Sequence, residues 1–298
     1  MKILSIGQTT YDITFFNDSF PAENTKAYTS EKIENPGGGA LNMTALLHKW
    51  GEEVKFLSVI GNDVYGSMAL KQLDDSGIDT SYIQKNDGDT TVSSIICNLT
   101  NQTRTIFLNY DENLHLSEYS LDFNPNLIIG DGRSPSVFKK IVTDFPNVPS
   151  MLDAGRFDQA TLELAPLVTY LVCSKDFAEE YTKVKFNLSD ANATNAILDQ
   201  LNNDFKNIVV VTLGKEGSII KQNGQVFLIP SIEVNAIDTT GAGDIYHGAF
   251  AYGLTKGWPL HKVMGVANTA GALSTLKKGS ISSIPELNDV LTTYEANY

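Results

Sequence analysis

Cysteine is scarce in this chain. Only Cys97 and Cys173 occur among its 298 residues, and they lie far apart in the sequence. This spacing fits neither a disulfide framework nor a cysteine zinc site, both of which need several closely placed cysteines. Two isolated cysteines are typical of small core residues in a protein kept in a reducing compartment, so we expect a cytoplasmic location.

Excess positive charge and long apolar runs are also missing. The chain has 35 acidic and 22 basic residues, a formal net charge of −13, and Lys277-Lys278 is the longest basic run near any motif. Nucleic acids and anionic membrane surfaces attract clusters of lysine and arginine. No apolar stretch approaches the roughly 20 residues of a membrane span, and the N-terminus shows no secretion signal. Neither a nucleic acid nor a membrane is expected as a partner.

Three common ligand motifs are absent from the sequence. There is no Gly-x-x-x-x-Gly-Lys-Ser/Thr loop for nucleotide phosphates. The segment Gly37-Gly38-Gly39-Ala40-Leu41-Asn42 has asparagine where the last glycine of a dinucleotide-binding Gly-x-Gly-x-x-Gly would stand. The four histidines form no zinc pattern. Nucleotide-binding P-loop proteins, dinucleotide enzymes and zinc hydrolases are therefore not indicated.

The order of strand-like and helix-like segments indicates the fold. They alternate repeatedly, which is typical of a doubly wound α/β fold with a mainly parallel sheet flanked by helices. We predict one domain over residues 1–298. The predicted strands are 2–6, 54–60, 127–129, 150–152, 170–173 and 208–213. The predicted helices are 40–50, 65–76, 135–144, 176–182, 191–201 and two runs that start at Asp244 and His261.

Two stretches depart from this alternation. In residues 12–36 and 90–110, the second around a turn at Asn101-Gln102, the pattern indicates short strands. We predict that both stretches supply antiparallel strands to a small β-sheet lid over the main sheet. Its open strand edges are a plausible surface for a homodimer.

The most informative segment is Asp238-Thr239-Thr240-Gly241-Ala242-Gly243-Asp244. It follows a partly alternating, strand-like segment at 231–237 and opens an apolar, helix-like run. At such a turn the first N–H groups of the helix lack partners and the helix dipole is positive, so a phosphate or a transferring phosphoryl group is stabilised. Asp244 is either an N-terminal helix cap or a base beside that anion site.

Other segments occur in order with this heptapeptide, and together they resemble the ribokinase family of carbohydrate and nucleoside kinases, also called the PfkB group. They are Asn35-Pro36-Gly37-Gly38-Gly39-Ala40-Leu41-Asn42, Gly61-Asn62-Asp63-Val64-Tyr65-Gly66, Val211-Thr212-Leu213-Gly214-Lys215-Glu216-Gly217, Ala267-Asn268 and Lys277-Lys278-Gly279. The likeness runs nearly end to end. Arg104-Thr105-Ile106, Gly130-Asp131-Gly132-Arg133 and Ser174-Lys175-Asp176 resemble ketohexokinases more than bacterial ribokinases.

The resemblance implies an ATP-dependent kinase that phosphorylates a primary hydroxyl of a small carbohydrate, with a ketohexose or a modified ketose as the leading acceptor. Asp244 would accept the proton of that hydroxyl. The N–H groups of Gly241, Ala242 and Gly243 would stabilise the transferring charge.

The resemblance also implies an acceptor side. Asp12 and Asn42 resemble the family's two sugar contacts, although a turn cap and a helix cap would explain the same residue types. Gly38 and Gly39 belong to the same glycine-rich turn, in which Gly37-Gly38 would be the hinge of the lid. Many ribokinases carry lysine at the position of Gly39, which weakens the case for ribose. Arg104 could contact sugar or phosphate, or be a solvated charge of the lid.

On the nucleotide side the resemblance points to six residues: Ser174, Thr212, Gly214, Gly217, Asn268 and Gly279. The cofactors implied are ATP and Mg²⁺, with K⁺ as an option. The family's magnesium-organising Asn-x-x-Glu is replaced by Ser174-Lys175-Asp176-Phe177, so Asp176 or Glu179 would have to substitute. Asp238 matches the position associated with a monovalent cation.

Three alternatives remain open. The chain could be a ribokinase or a nucleoside kinase of the same family. A nucleoside site would be expected to offer an aromatic surface from the lid, for which Tyr11, Phe15, Phe16 and Tyr28 are available. A non-catalytic sugar or nucleotide sensor is the third, and the intact Asp244 argues against it because a binding protein needs no general base.

Overall fold

The computed structural model describes residues 1–29, 31–101, 103–117 and 119–298. Each predicted lid stretch has one residue outside the described residues, Ser30 in the first and Gln102 in the second. Gln102 is also one of the two residues of the predicted turn at Asn101-Gln102. The strands are β1 (Lys2–Ile6), β2 (Thr10–Asn17), β3 (Lys32–Gly37), β4 (Glu53–Gly61), β5 (Ile83–Asn86), β6 (Thr91–Asn98), β7 (Thr103–Asn109), β8 (Leu127–Gly130), β9 (Ser150–Ala154), β10 (Tyr170–Ser174), β11 (Ile208–Thr212), β12 (Ser218–Gln222) and β13 (Gln225–Ile229).

The helices alternate with these strands, as the sequence pattern predicts. They are α1 (Gly39–Lys49), α2 (Val64–Asp75), α3 (Pro135–Asp144), α4 (Gln159–Leu164), α5 (Lys175–Thr182), α6 (Ala191–Phe205), α7 (Ala242–Thr255), α8 (Leu260–Ser274) and α9 (Leu287–Asn297). Short 3₁₀ turns lie at Ala165–Leu167, Gly214–Glu216 and Ile281–Ser283. Within the described residues no helix combines the length and apolar character needed to cross a bilayer.

The main sheet confirms the predicted doubly wound α/β fold. Its strand order is β13-β12-β11-β10-β9-β8-β1-β4-β5, and the strands from β11 to β5 are all parallel. Successive side chains of a strand point to opposite faces. Ile3 accordingly joins the core beneath α1, α7 and α8, whereas Leu4 joins the core beneath α3 to α6. Both faces of the sheet are therefore covered by helices.

The two cysteines are buried free thiols, as the sequence predicts: Cys97 in β6 and Cys173 in β10.

The two predicted lid stretches form one separate sheet of order β3-β2-β6-β7. One detail of the prediction is wrong: β2 and β6 pair in parallel, and only the hairpins β2–β3 and β6–β7 are antiparallel. The reason is topological. Both β2 and β6 follow parallel strands, β1 and β5, so the chain leaves the main sheet in the same direction each time. All seven residues of the edge strand β7 are exposed, and pairing of this edge with a second copy stays a prediction.

The strand predicted at 231–237 is also wrong. The segment is irregular, and it crosses from the β12–β13 hairpin at one edge of the main sheet to the C-terminal end of α8. There the N–H groups of Ile237 and Asp238 both donate to the carbonyl of Thr275, at 2.7 and 3.2 Å. Half-buried and exposed residues alternate from 232 to 237, so the apolar and polar alternation reflects packing of one side against the protein without strand pairing.

Candidate active site

A cavity of about 640 Å³ lies between the lid sheet and the main sheet, at the carboxyl ends of the parallel strands. The chain order in the sheet reverses between β1 and β8, and this is the position where open α/β sheets bind ligands. Ten of the residues that the sequence analysis singled out line this cavity: Asp12, Gly38, Gly39, Asn42, Arg104, Ser174, Thr212, Gly241, Gly243 and Asp244.

The anion turn, residues 238–241, ends at the start of α7. Gly241 is the N-cap and has φ of +75°, a left-handed conformation that favours glycine. A Cβ there would lie 2.7 Å from Cβ of Ser280. The N–H of Ala242 bonds back to the carbonyl of Thr239 at 3.3 Å, whereas those of Gly243 and Asp244 have no acceptor among the described residues. The positive end of α7 is thus open to the cavity.

Asp244 stands in the first turn of α7 with its accessible surface facing the cavity. The Nδ2 of Asn42 donates a hydrogen bond to Oδ2 of Asp244 at 2.6 Å. Burial, and then the negative charge of Asp153, raise the pKa of Asp244 to about 6. The buried Oδ1 of Asn42 has no hydrogen-bond partner within the described residues. The pair therefore offers a base and a free acceptor side by side.

Two carboxylates to which the sequence analysis gave no role in the site lie beside Asp244. A Cβ on Gly39 would be 3.3 Å from Cβ of Asp131, 3.4 Å from Oδ1 of Asp244 and 3.6 Å from Oδ2 of Asp153. Asp131 directly follows β8, and Asp153 lies near the end of the neighbouring strand β9. The available signal was an acidic residue at the carboxyl end of a buried parallel strand, which is where ligand sites form.

Hydrogen bonds fix both of these carboxylates. Asp131 accepts from the N–H of Ala40 at 3.1 Å and from the N–H of Arg133 at 3.0 Å, and burial raises its pKa. Oδ1 of Asp153 accepts from the N–H of Gly155 at 2.9 Å. Oδ2 of Asp153 has no partner among the described residues and remains available to a ligand.

His247 is another cavity residue whose role the sequence analysis did not foresee. Its Nδ1 lies 2.6 Å from the carbonyl oxygen of Gly243 and its Nε2 lies 3.1 Å from that of Val172. Nε2 is also 3.4 Å from Oδ1 of Asp153. The buried ring therefore ties the first turn of α7 to β10 and to the carboxylate cluster.

Asp12 and the glycine-rich turn also line the cavity. Thr10 donates from Oγ1 to Oδ1 of Asp12 at 2.7 Å, and burial raises the pKa of Asp12. Gly38 has φ of +109°, and a Cβ there would lie 2.3 Å from the carbonyl oxygen of Gln8. Only glycine allows this close approach of two backbone segments at the lid's connection to α1.

The lid reaches across to the anion turn through Arg104 of β7. Its Nη1 donates to Oγ1 of Thr239 at 3.2 Å. Arg133 and Arg156, which sequence reasoning did not assign to the site, also line the cavity, as does Gln8.

The predicted nucleotide-side residues divide into two groups. Ser174 and Thr212, at the ends of β10 and β11, line the cavity, and the Oγ of Ser174 caps α5 by accepting from the N–H of Phe177 at 3.0 Å. Four others lie outside the cavity lining: Gly214, Gly217, Asn268 and Gly279. Their contact with a nucleotide stays a prediction.

Two of these four have a structural role. The Nδ2 of Asn268 donates to the carbonyl of Ile229 at 2.9 Å, which holds α8 to the end of β13. The N–H of Gly279 donates to Oδ2 of Asp238 at 2.9 Å, and Oδ1 of Asp238 accepts from the N–H of Thr240 at 2.9 Å. Asp238 therefore holds the anion turn to the segment that follows α8.

The proposed magnesium substitutes do not face the cavity. Asp176 and Glu179 are outside its lining, and Glu179 is ion-paired with Lys185 at 2.6 Å and accepts from the N–H of Phe186 at 2.8 Å. Within the described residues, no group of three or more histidine, cysteine, aspartate or glutamate residues is arranged to hold a metal ion.

Comparison with known proteins agrees with this geometry. The family model described as pfkB family carbohydrate kinase matches residues 1–132 and 137–287. A ribokinase from Lactococcus lactis is 24% identical, over 97% of this chain and 95% of that protein. An ATP-dependent 6-phosphofructokinase from Thermoanaerobacterium thermosaccharolyticum is 23% identical, over 98% and 94%. The solved structure of Arabidopsis thaliana ribokinase with ribose and ATP has a TM-score of 0.81 at 20% identity, covering 99% of this chain and 98% of that one. This chain belongs to the pfkB family of carbohydrate kinases, which are phosphotransferases.

Proposed function

We propose that the protein transfers the γ-phosphate of ATP to a primary hydroxyl of a small carbohydrate, with a ketohexose or a modified ketose as the leading acceptor. The observation that carries this proposal is the position of Asp244. A carboxyl group with a pKa raised to about 6 lies at the open N-terminus of α7, inside a cavity and beside a free amide oxygen. A base next to an anion site is what phosphoryl transfer to a hydroxyl requires.

Each residue of the site has a separate role in the proposed reaction. The acceptor hydroxyl donates its one hydrogen to Asp244, which the Nδ2 of Asn42 holds in place, and gives up that proton as its oxygen bonds to the γ-phosphorus and the bond to ADP breaks. A neighbouring hydroxyl of the acceptor is held by Oδ1 of Asn42. The N–H groups of Gly243 and Asp244 stabilise the charge of the transferring group. Asp12 holds further hydroxyls of the acceptor.

Magnesium fits the carboxylates that face the cavity. Mg²⁺ is usually held by one or two carboxylates together with substrate phosphates, and it neutralises charge on the triphosphate. Asp153, with its free Oδ2, is the residue that would hold it, because both oxygens of Asp131 already accept backbone N–H groups. At Asp238 both oxygens already accept backbone N–H groups, so a potassium ion there would draw most of its ligands from backbone carbonyls.

The relatives and the cavity lining bear on which class of acceptor the protein uses. The names of the relatives favour ribose and do not support a ketohexose preference. Against a nucleoside, no phenylalanine, tyrosine or tryptophan lines the cavity in the described part of the chain, and the lid presents Ile95, Ile106 and Leu108 instead. Of the lid aromatics, Tyr11 and Phe16 are buried and Tyr28 is 91% exposed. The intact base continues to argue against a sensor.

A panel of acceptors tests the proposed function. Purified protein with Mg·ATP is assayed for ADP release with fructose, tagatose, psicose, ribose, phosphorylated and sulfonated ketoses and nucleosides, with and without potassium. Acceptor-dependent ADP release from one sugar group confirms the kinase and identifies its substrate class. ADP release that is the same with and without every acceptor would contradict it.

Replacing Asp12 with alanine is expected to raise the KM for the acceptor about tenfold or more, because a carboxylate that accepts hydrogen bonds from hydroxyls is lost. The KM for ATP should stay unchanged. Asp18→Ala, which removes an exposed lid carboxylate outside the cavity, is the matched control. A change in the KM for ATP alone would place Asp12 at the nucleotide end of the site.

The raised pKa of Asp244 predicts an acid limb in the pH profile. The base works only when ionised, so kcat/KM, which reports the pKa values of the free enzyme, should fall as the pH drops through about 6. Asp153→Asn removes the negative charge that is the second cause of the shift, so the pKa of Asp244 in the metal-free protein, followed by NMR titration, should fall in this variant. Steady-state rates of the wild type between about pH 3.5 and pH 8 locate the acid limb. A wild-type limb near the ordinary aspartate value of about 4 would contradict the assignment.

A further inference from the structure

One motif that carries the family resemblance has no role in the proposed reaction. It is Gly61-Asn62-Asp63-Val64-Tyr65-Gly66, which joins β4 to α2 and places Asp63 at the N-cap of α2. Oδ1 of Asp63 accepts from the N–H of Gly66 at 2.7 Å, which is the ordinary contact of a helix cap. The same carboxylate also contacts Thr90, 27 residues further along the chain. Capping of α2 does not require this second contact.

Asp63 holds Thr90 through both of its carboxylate oxygens. The N–H of Thr90 donates to Oδ2 of Asp63 at 2.8 Å, and the Oγ1 of Thr90 donates to Oδ1 at 2.7 Å. We call these two bonds the Asp63 clamp. Burial acts to raise the pKa of Asp63, but the hydrogen bonds that it accepts outweigh burial and hold the pKa below its ordinary value. An ionised carboxylate therefore clamps a threonine that is 1% exposed.

The two glycines of the motif pack against the clamped residue. The N–H of Gly61 donates to Oγ1 of Thr90 at 2.9 Å, and a Cβ on Gly61 would lie 2.6 Å from the nitrogen of Thr90. A Cβ on Gly66 would lie 2.8 Å from Oγ1 of Thr90 and 2.3 Å from the carbonyl oxygen of Gly61. Residues without a side chain permit these approaches. The Gly-x-Asp-x-x-Gly spacing is thus built around Thr90.

The Asp63 clamp lies at the root of the lid, because Thr90 directly precedes lid strand β6. The next residue, Thr91, is fully buried and accepts at Oγ1 from the Nε2 of Gln8 at 2.7 Å. Gln8 lies between β1 and lid strand β2, so this bond ties together the roots of the two central lid strands. Thr91 also pairs with Thr10 in the parallel register of β2 and β6. The position of Thr90 therefore helps to set how β6 lies against β2.

The register of these two strands reaches the acceptor site. It places Ser93 of β6 opposite Asp12 of β2, and both residues line the cavity. Burial raises the pKa of Asp12, and the hydroxyl groups of Thr10 and Ser93 counteract that rise in pKa. Ile95, the next residue on the same face of β6, lines the cavity as well. A displacement of β6 at its root would move Ser93 and Ile95 relative to Asp12.

We propose that Asp63 is a positioning residue for the acceptor site: it clamps Thr90 at the root of β6 and so holds Ser93 in place beside Asp12. This inference rests on the proposed kinase function, in which Asp12 binds the acceptor. It gives the Gly-x-Asp-x-x-Gly motif a role in acceptor binding in addition to the capping of α2.

Asp63→Asn keeps the helix cap and removes the clamp. Asparagine caps a helix as well as aspartate does, but it has one acceptor oxygen and turns an NH₂ donor toward the donors of Thr90. The KM for the panel sugar that the wild type phosphorylates fastest should rise about three- to tenfold, with kcat and the KM for ATP changed by less than about twofold. Thr90→Val should have the same effect, and Thr90→Ser, which keeps the hydroxyl, should remain close to the wild type.

Asp190→Asn is the matched control. Asp190 is the N-cap of α6 and accepts from the N–H groups of Asn192 and Ala193 in the first turn of its own helix. It lies outside the cavity lining, so this substitution should leave both KM values unchanged. An equal rise of the sugar KM in Asp190→Asn and Asp63→Asn would overturn the inference, since any change of a capping aspartate would then have the same effect.

A double-mutant cycle distinguishes positioning of Asp12 from a general loss of stability. In the Asp12→Ala background, Asp63→Asn should raise the sugar KM no further, because the contact that the clamp positions is already gone. A rise by the same factor in both backgrounds would show that Asp63 acts independently of Asp12 and would overturn the inference.

Amide hydrogen exchange tests the clamp without any turnover. In Asp63→Asn the amides of Thr90 and β6 should exchange at least about tenfold faster than in the wild type, whereas those of α2 should keep their protection. Faster exchange in β6, found in a protein that phosphorylates no acceptor, would retain the clamp and contradict the proposed kinase. Unchanged exchange in β6, or faster exchange with an unchanged sugar KM in an active kinase, would overturn the inference.

Discussion

Replacing Asp244 with asparagine is expected to lower kcat by roughly 10²- to 10⁴-fold, while ATP still binds. Asparagine keeps the shape of the side chain but cannot accept the proton of the attacking hydroxyl. Asn42 would still contact it. The loss should therefore fall on kcat, measured as ADP release at saturating acceptor and ATP, and leave nucleotide affinity by calorimetry close to that of the wild type.

The same substitution should not destabilise the fold. The pKa of Asp244 in the folded protein is raised, so ionisation of this group opposes folding increasingly as the pH rises from about 4 to about 6, and the full effect is present at pH 7. The neutral asparagine removes that unfavourable effect, and the Tm at pH 7 should be equal or higher. Asp289 is the matched control, because it is an exposed aspartate in the first turn of α9 and lies outside the cavity. Asp289→Asn should leave kcat unchanged. Equal turnover in wild type and Asp244→Asn would reduce Asp244 to a helix-capping residue.

Adding one methyl group at Gly241 is expected to lower kcat about 10²- to 10³-fold, as the loss of one donor to a transition-state charge does. The Cβ of Gly241→Ala would lie 2.7 Å from Cβ of Ser280 and 3.2 Å from its Cα. The backbone of the anion turn must shift to relieve these contacts, which misplaces the N–H groups of Gly243 and Asp244. The left-handed conformation adds roughly 1–2 kcal/mol of strain, seen as a lower Tm.

Gly257→Ala is the control that distinguishes the backbone strain of a left-handed residue from displacement of the N–H groups in the anion turn. Gly257 has φ of +64°, like Gly241, but a Cβ there meets no atom within 4 Å, and the residue lies outside the cavity. Both variants should lose stability in chemical denaturation, and Gly241→Ala should lose more because of its added contact with Ser280. Only Gly241→Ala should lose activity. If both retain full turnover, the geometry of the anion turn does not control the reaction.

The sequence predicted best those strands and helices whose bounds are marked by the local pattern of residues. The predicted bounds of β1 and α3 agree with the observed Lys2–Ile6 and Pro135–Asp144, since one is a continuous buried strand and the other starts with proline at its first position. The short edge strand β5 and the β12–β13 hairpin were not predicted. Edge strands expose one or both faces, so β13 carries no clear buried pattern.

Some residues of the site could likewise be predicted from the local sequence, and others could not. Asp244 and the anion turn are contiguous in sequence, so their chemistry is visible there. Four other cavity residues come from two separate segments of the chain and become neighbours only because β8 and β9 pair in parallel: Asp131, Arg133, Asp153 and Arg156. The order of strands in a sheet is not visible in the sequence of either strand. The parallel pairing of β2 with β6 was missed for a related reason, since it depends on where the chain leaves the main sheet.

The central claim is that the γ-phosphate of ATP moves to a sugar hydroxyl under the control of Asp244. Mass spectrometry of the acceptor after incubation with Mg·ATP labelled in the γ-phosphate tests this claim most directly. Labelled phosphate should appear on a sugar acceptor with the wild type and be reduced at least a hundredfold with Asp244→Asn. Label that appears only as inorganic phosphate with every acceptor, or on a sugar equally with both proteins, would contradict the account.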